Sequence, residues 1–238
     1  MTTYRIEHRT SYSYDSDVTG SYGLLHLRPR DLAWQTCLAH EIKIEPEPAD
    51  LFQHVDVYGN TKSYFHVVQP HTRLVVTASS VVSVELNTLD SAVLGMPWEQ
   101  AVPRTRDDDH EPAHAEAWEA ADFTFPSPYV EIPTPIREYA QSSFTAGRPI
   151  GEAVVELMHR IYTDFTYKSG STSLSTRVSD LLEKRTGVCQ DFAHFMVASL
   201  RSLGLAGRYV SGYLATRPAP GKPRQQGALT GLMEVSHR

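Results

Sequence analysis

The sequence is short of cysteine, of basic runs and of long apolar stretches. Only Cys37 and Cys189 occur among 238 residues, so a disulfide framework does not hold the fold together and each thiol needs its own explanation. No stretch approaches the roughly 20 apolar residues that span a bilayer, and the opening MTTYRIEHRT lacks the apolar core of a secretory signal. The expectation is a cytoplasmic protein with no membrane contact. Acidic residues number 28 against 22 basic, for a formal charge of −6, and no basic block is present to track a phosphate backbone, which argues against nucleic acid as a partner. The 41% hydrophobic content is that of an ordinary globular chain with one large core or two modest ones.

Residues 1–90 read as a β-rich N-terminal domain. Tyr4, Ile6, His8, Thr10, Tyr12 and Tyr14 alternate with Arg5, Glu7, Arg9, Ser11 and Ser13, the period of a strand with one face buried. Leu38, Ile42 and Ile44 alternate with Ala39, Glu41 and Lys43, and Leu74, Val76, Ala78, Val82 and Val84 share one side of a later stretch. Gly59-Asn60, between two β-prone runs, predicts a tight hairpin. Successive short strands with turn signals favour an antiparallel sandwich or barrel.

Between Asn87 and Pro135 the regular period is lost among prolines and the run Asp107-Asp108-Asp109. Residues 91–135 are expected to be a linker, with a short helix at Ala113–Ala121. Residues 136–238 then take a helical period, giving an α+β reading for the whole chain. Ile150, Val154, Leu157, Met158, Ile161 and Phe165 form a stripe on a helix starting near Pro149. A second helix is expected at Val178–Lys184 with Gly187 at its exit. A third opens at Cys189, where Cys189, Phe192, Ala193, Met196, Val197, Leu200 and Leu203 keep helical spacing up to Gly204, and a strand follows over Arg208–Leu214.

Cys189 falls in the first turn of that third helix, where unpaired backbone N–H groups and the macrodipole favour an anion such as a thiolate. Its own N–H is placed to meet the oxygen of a carbonyl that the sulfur attacks. Spacing alone favours a packing role, since Cys189 shares a face with Phe192 and Met196. His194, five residues on, stands about 140° round the helix and cannot reach the sulfur from there, so it reads as structural. Asp191 reads as a charge that stabilises the first turn.

The run Arg185-Thr186-Gly187-Val188-Cys189-Gln190-Asp191-Phe192-Ala193-His194-Phe195-Met196, with Leu200-Arg201-Ser202-Leu203-Gly204-Leu205 and Arg208-Tyr209-Val210-Ser211-Gly212-Tyr213 after it, closely resembles the bacterial transglutaminase-like proteins. The resemblance extends to Phe165-Thr166-Tyr167 and, less specifically, to TYRIEHRTSYSY and GNTKSYFHV in the first eighty residues. It implies an antiparallel β-sandwich-like N-terminal domain before a papain-like, transglutaminase-like α+β core, with Cys189 as nucleophile in a Cys-His-Asp triad acting on peptide, protein or glutamine-type amides without a cofactor. It also places Tyr167 where related enzymes carry an aromatic group near the thiol, although a packing role explains such an aromatic equally well.

The chain departs from the family after Ala228, where a Ser-His-Ala-Trp-type strand and an aspartate are expected. Instead it runs Gly227-Ala228-Leu229-Thr230-Gly231-Leu232-Met233-Glu234-Val235-Ser236-His237-Arg238. His237 follows a serine as the motif requires but comes a few residues late, and no aspartate follows Asp191. Two readings stay open: a cysteine hydrolase or acyltransferase impaired by an incomplete His/Asp segment, with weak or no amidase activity, or an inactive binding or structural protein that keeps the fold.

Two other signals are set aside. His110-Glu111-Pro112-Ala113-His114 matches H-E-x-x-H, but Pro112 breaks the helix that would bring both imidazoles to one metal, so no metal site is expected. Cys37 is placed on the more polar side of its strand, without a helix end or base to activate it.

Overall fold

The N-terminal alternation forms strands as predicted. In the computed structural model, which describes residues 1–86, 90–103, 115–170, 176–213 and 229–235 (backbone alone at 115–118 and 229–235), the chain divides into two units, Met1–Thr88 and Leu89–Arg238. The first unit holds two three-stranded antiparallel sheets. One is ordered β1 (Thr2–Val18), β6 (His71–Val84), β3 (Gln35–Glu45); the other is ordered β2 (Ser21–Leu25), β5 (Thr61–Val67), β4 (Asp50–Val55). Ile44, Leu74 and Val76 from the first sheet meet Phe65 and Val67 from the second in one buried cluster, so the sheets share a core in the manner of a sandwich.

The hairpin between β4 and β5 forms at the predicted place, with Gly59 at φ 77°. The Asp56 carboxylate accepts the N–H groups of Tyr58 (3.0 Å) and Asn60 (2.9 Å) and pairs with Lys62 at 3.2 Å. These contacts, the Asn60 N–H first among them, hold its carboxyl down at about 2.

One prediction in this unit is corrected. Cys37 is not on a polar face: it is only 9% exposed, while Leu38 is 58% exposed. The cause is a bulge, because Cys37 pairs with Val82 and Ala39 with Val81, which leaves Leu38 as an extra residue and reverses the phase of the strand. Burial pushes the Cys37 thiol pKa up, and its S–H donates to the Ala39 carbonyl at 3.5 Å.

The second unit comprises α1 (Ser91–Leu94), a 3-10 turn at Trp98–Ala101, α2 (Ala115–Asp122), α3 (Thr134–Gln141), α4 (Ile150–Asp164), β7 (Thr166–Tyr167), α5 (Val178–Lys184), β8 (Thr186–Gly187), α6 (Cys189–Ser202), β9 (Gly207–Tyr213) and β10 (Leu229–Val235). β7 and β8 pair in parallel, and β9 and β10 pair antiparallel. The stretch between Asn87 and Pro135 contributes to this unit's packing. Ala101 and Val130 are buried in its core, the Trp98 indole donates to the Thr145 carbonyl at 3.0 Å, and Ile150 N–H donates to the Met96 carbonyl at 2.9 Å.

Helix α4 starts after Pro149 and buries Ile150, Ala153, Leu157 and Ile161. Met158, predicted on that stripe, is 47% exposed instead, because the buried face is centred on the i, i+3, i+7, i+11 row that includes Ala153. Helix α6 is buried more fully than its predicted single stripe. Phe195, Val197, Ala198, Ser199 and Leu200 are all closed off from solvent, and the hydroxyls of Ser199 and Ser202 are satisfied by the carbonyls of Phe195 and Ser199. The helix ends at the Leu203 cap with Gly204 at φ 83°, as the spacing predicted.

Helix α5 does not exit through Gly187. Its cap is Arg185, a non-glycine residue in the left-handed region at φ 54°. The cost of that conformation is offset by the Arg185 guanidinium, which lies 4.8 Å from the centre of the Phe165 ring and 5.4 Å from that of Tyr139.

Candidate active site

The environment of Cys189 is built by the two-residue ladder ahead of it. β8 sits beside β7 through Thr166 N–H to Arg185 O (2.8 Å) and Lys168 N–H to Gly187 O (2.9 Å), with Tyr167 in register with Gly187. Tyr167 therefore lies alongside the residue two before Cys189, and its side chain is 63% exposed. Gly187 itself is buried under α5. A Cβ there would fall 2.6 Å from Leu181 Cδ1 and 3.0 Å from Asp191 Oδ2, so the close approach of helix, strand and cap needs a residue with no side chain.

Val188 then caps α6 in extended conformation, and Asp191 reaches back so that its carboxylate accepts the Val188 N–H at 2.8 Å. The first helical bond of α6 runs from Phe192 N–H to Val188 O at 3.1 Å, so the N–H groups of Cys189 and Gln190 lie ahead of the helical ladder. Cys189 is half-buried rather than sealed in the core. Phe192 and Phe195, on the turns that follow, pack edge-on and tilted against Phe165 (6.1 and 4.9 Å between ring centres) and fix this end of α6 to the end of α4.

The other wall is β9. Tyr209 is the residue that sequence reasoning missed. Burial pushes its phenol pKa up, a hydrogen bond to Ser211 works the other way, and Cys189 adds a smaller raising effect. Its ring lies 4.8 Å from that of His194, which in turn stacks on Tyr129 at 5.7 Å and 8°. The available sequence signal was the alternation of Tyr209, Ser211 and Tyr213 along the strand leaving the cysteine helix, but alternation does not say which helix end the strand passes.

His194 occupies this aromatic stack, in keeping with its structural reading. Burial pushes its imidazole pKa down, against a raising effect from Asp191. Among the described residues no side chain hydrogen-bonds the Cys189 sulfur, and no His/Cys/Asp/Glu group is arranged to hold a metal ion. His237 and the His110–His114 motif lie outside the described residues.

Arg201 joins the elements around this wall. Its guanidinium donates twice to the Gly207 carbonyl (2.9 and 2.7 Å) and once to the Phe125 carbonyl (2.7 Å), tying α6 to the start of β9 and to the segment after α2.

Residues 4–83 match the bacterial transglutaminase-like N-terminal region, and residues 137–232 match the core of the transglutaminase-like superfamily. An uncharacterized protein of Mycobacterium tuberculosis is 47% identical over 229 residues, which cover 94% of this chain and 69% of that relative. The chain belongs to the transglutaminase-like superfamily. A second uncharacterized relative, from Mycobacterium leprae, is 30% identical over 210 residues, covering 88% of this chain and 70% of its own length. The structure of a candidate cysteine protease from Cytophaga hutchinsonii has the same fold, with a TM-score of 0.74 at 19% identity, covering 98% of this chain and 72% of that one. The transglutaminase-like core match thus runs from within α3 into β10, ending at Leu232. Among the described residues, no helix is long and apolar enough to cross a membrane.

Proposed function

We propose that this transglutaminase-like chain is a cysteine hydrolase or acyltransferase that acts on peptide or glutamine-type amides through a thioester at Cys189. The observation that carries the reading is the position of Cys189: half-exposed, at the first residue of a buried helix, with its own N–H ahead of the helical ladder. Attack by Cys189 Sγ on the amide carbon forms the C–S bond, and the carbonyl oxygen takes up the electron pair within reach of the Cys189 N–H. Collapse of that intermediate breaks the C–N bond, and the thiol proton leaves with the amine. Water or a second amine then releases the acyl group and returns a proton to the sulfur. Tyr167, beside Gly187, and Tyr209, on β9, are the phenols proposed to border the reacting carbonyl, and His237 is the proposed base.

A second reading is a binding protein that retains the fold without turnover. An activated acyl ester separates the two. Intact-mass measurement should show one acyl group on the chain, mapped to Cys189 and absent from Cys189→Ala, with release accelerated by water or amine. An adduct that never forms at Cys189 removes the enzymatic reading, and one that forms but is never released favours the binding protein.

A further inference from the structure

Nothing in the transglutaminase-like reading uses the first unit, yet that unit contains a groove of about 570 Å³. It is lined by Arg28, Pro29, Arg30 and Asp31, by Gln53, His54 and Val55 of β4, and by Gly59 and Thr61 of the hairpin. Three consecutive residues of a strand line it. Successive side chains of a strand point to opposite faces, so a groove lined by 53, 54 and 55 together opens on the edge of the strand. β4 is the outer strand of its sheet, and its residues from Asp50 to Val55 are all exposed. An outer strand presents backbone donors and acceptors that another extended chain can pair with.

The segment from Arg28 to Asp31 brings two guanidinium groups and one carboxylate to the lining. Arg30 is half-buried, and its guanidinium makes no hydrogen bond or ion pair among the described residues; it lies against Gly59, where a Cβ would come within 2.9 Å of Arg30 Nη2. Arg28 has one ion pair, with Asp31 at 3.7 Å, and Asp31 also accepts the Cys37 N–H at 2.7 Å. Two arginines thus line the groove with one carboxylate, in a chain whose formal charge is −6. Guanidinium forks match carboxylates in geometry and are strongest where they are partly desolvated.

We propose that this groove binds an extended acidic peptide segment, which pairs with the edge of β4 through its backbone and presents carboxylates to Arg28 and Arg30. The occupant is a peptide rather than a free anion because the groove combines a strand edge with the two arginines.

The test uses the full chain and a fluorescein-labelled hexapeptide of alternating valine and glutamate, followed by fluorescence anisotropy. Three further probes are inorganic phosphate as competitor, the same peptide methylated on its backbone nitrogens, and the peptide with glutamine for glutamate. The expected result is saturable binding that weakens as salt rises, is at least about tenfold weaker for the glutamine peptide and for Arg28→Ala/Arg30→Ala, is similarly weakened by N-methylation, and is unaffected by Cys189→Ser. Should the double variant fail to fold, the salt series and the glutamine peptide on the unaltered chain read the same charge contribution. No saturable binding, phosphate competing as well as the unlabelled peptide, equal binding of the N-methylated peptide, or equal binding of the glutamine peptide would each overturn the proposal.

Discussion

Replacing Gly187 by alanine tests whether the cysteine helix is positioned by close packing beneath its cap. The added Cβ would lie 2.6 Å from Leu181 Cδ1, 3.0 Å from Asp191 Oδ2 and 3.1 Å from Asp191 Cβ. Leu181 is 1% exposed, so its Cδ1 must shift within the packed core. Overpacking of this kind costs about 1–3 kcal/mol. If Asp191 moves instead, its 2.8 Å bond to the Val188 N–H is lost, a capping contribution of about 1 kcal/mol. A cost of about 1–3 kcal/mol by either route should lower the melting temperature of the second unit by about 2–12 °C, and the rate of Cys189 alkylation should change with it. Leu181→Ala alone should also destabilise, by about 2–5 kcal/mol through its cavity. Because the new methyl occupies part of that cavity, the double variant should be less damaged than the sum of the two singles. Melting curves and urea titrations on the four proteins measure this. A Gly187→Ala chain that melts within a degree of the unaltered one, with unchanged alkylation, or a double variant whose effects simply add, refutes the packing argument.

Cys189 should react with iodoacetamide at least about tenfold faster than Cys37 at mildly acidic pH, since one opens a helix half-exposed and the other is sealed beneath a bulge; peptide mapping after timed quenching reads both, and equal rates would remove the case for an activated thiol. Arg201→Met should destabilise the second unit by about 1.5–3 kcal/mol, because the Gly207 carbonyl, and at the surface the Phe125 carbonyl, lose a charged donor. Arg201→Lys should recover less than half of that loss in urea midpoints, for want of a fork. The second unit should lose stability as the pH falls below about 6.5, because burial depresses the folded pKa of His194 below its unfolded value. That contribution is complete above the unfolded value and disappears as the pH drops through the folded one. His194→Phe should flatten the dependence between pH 7.5 and 5.5, and an unchanged slope would assign it to another group.

The period of the cysteine helix was legible because Phe192, Ala193, Met196, Val197 and Leu200 form an apolar row and Gly204 marks its end, whereas the burial of Ser199 and Ser202 was not. The same holds for α4, where Pro149 marks the start, and for the hairpin at Gly59. The phase of β3 was not legible. A bulge is decided by how Cys37 and Ala39 pair with β6, and the partner strand lies more than thirty residues away in the chain. Nor was the cap at Arg185, since a left-handed arginine is tolerated only where the rings of Phe165 and Tyr139 come together to receive its guanidinium. Met158 was misjudged because a stripe has two margins, and only the neighbours of α4 select which one is covered.

By itself the order of residues determined the local periods, the turn at Gly59 and the membership of the family, all of which depend on neighbours a few positions apart or on a continuous motif. Tertiary structure alone decided that Arg201 reaches the Phe125 carbonyl, that the Trp98 indole meets the Thr145 carbonyl, and that Phe65 and Val67 share a core with Ile44 and Leu74. These are meetings of residues distant in the chain, and packing, hydrogen bonding and charge act through distance in space, which a linear pattern does not carry.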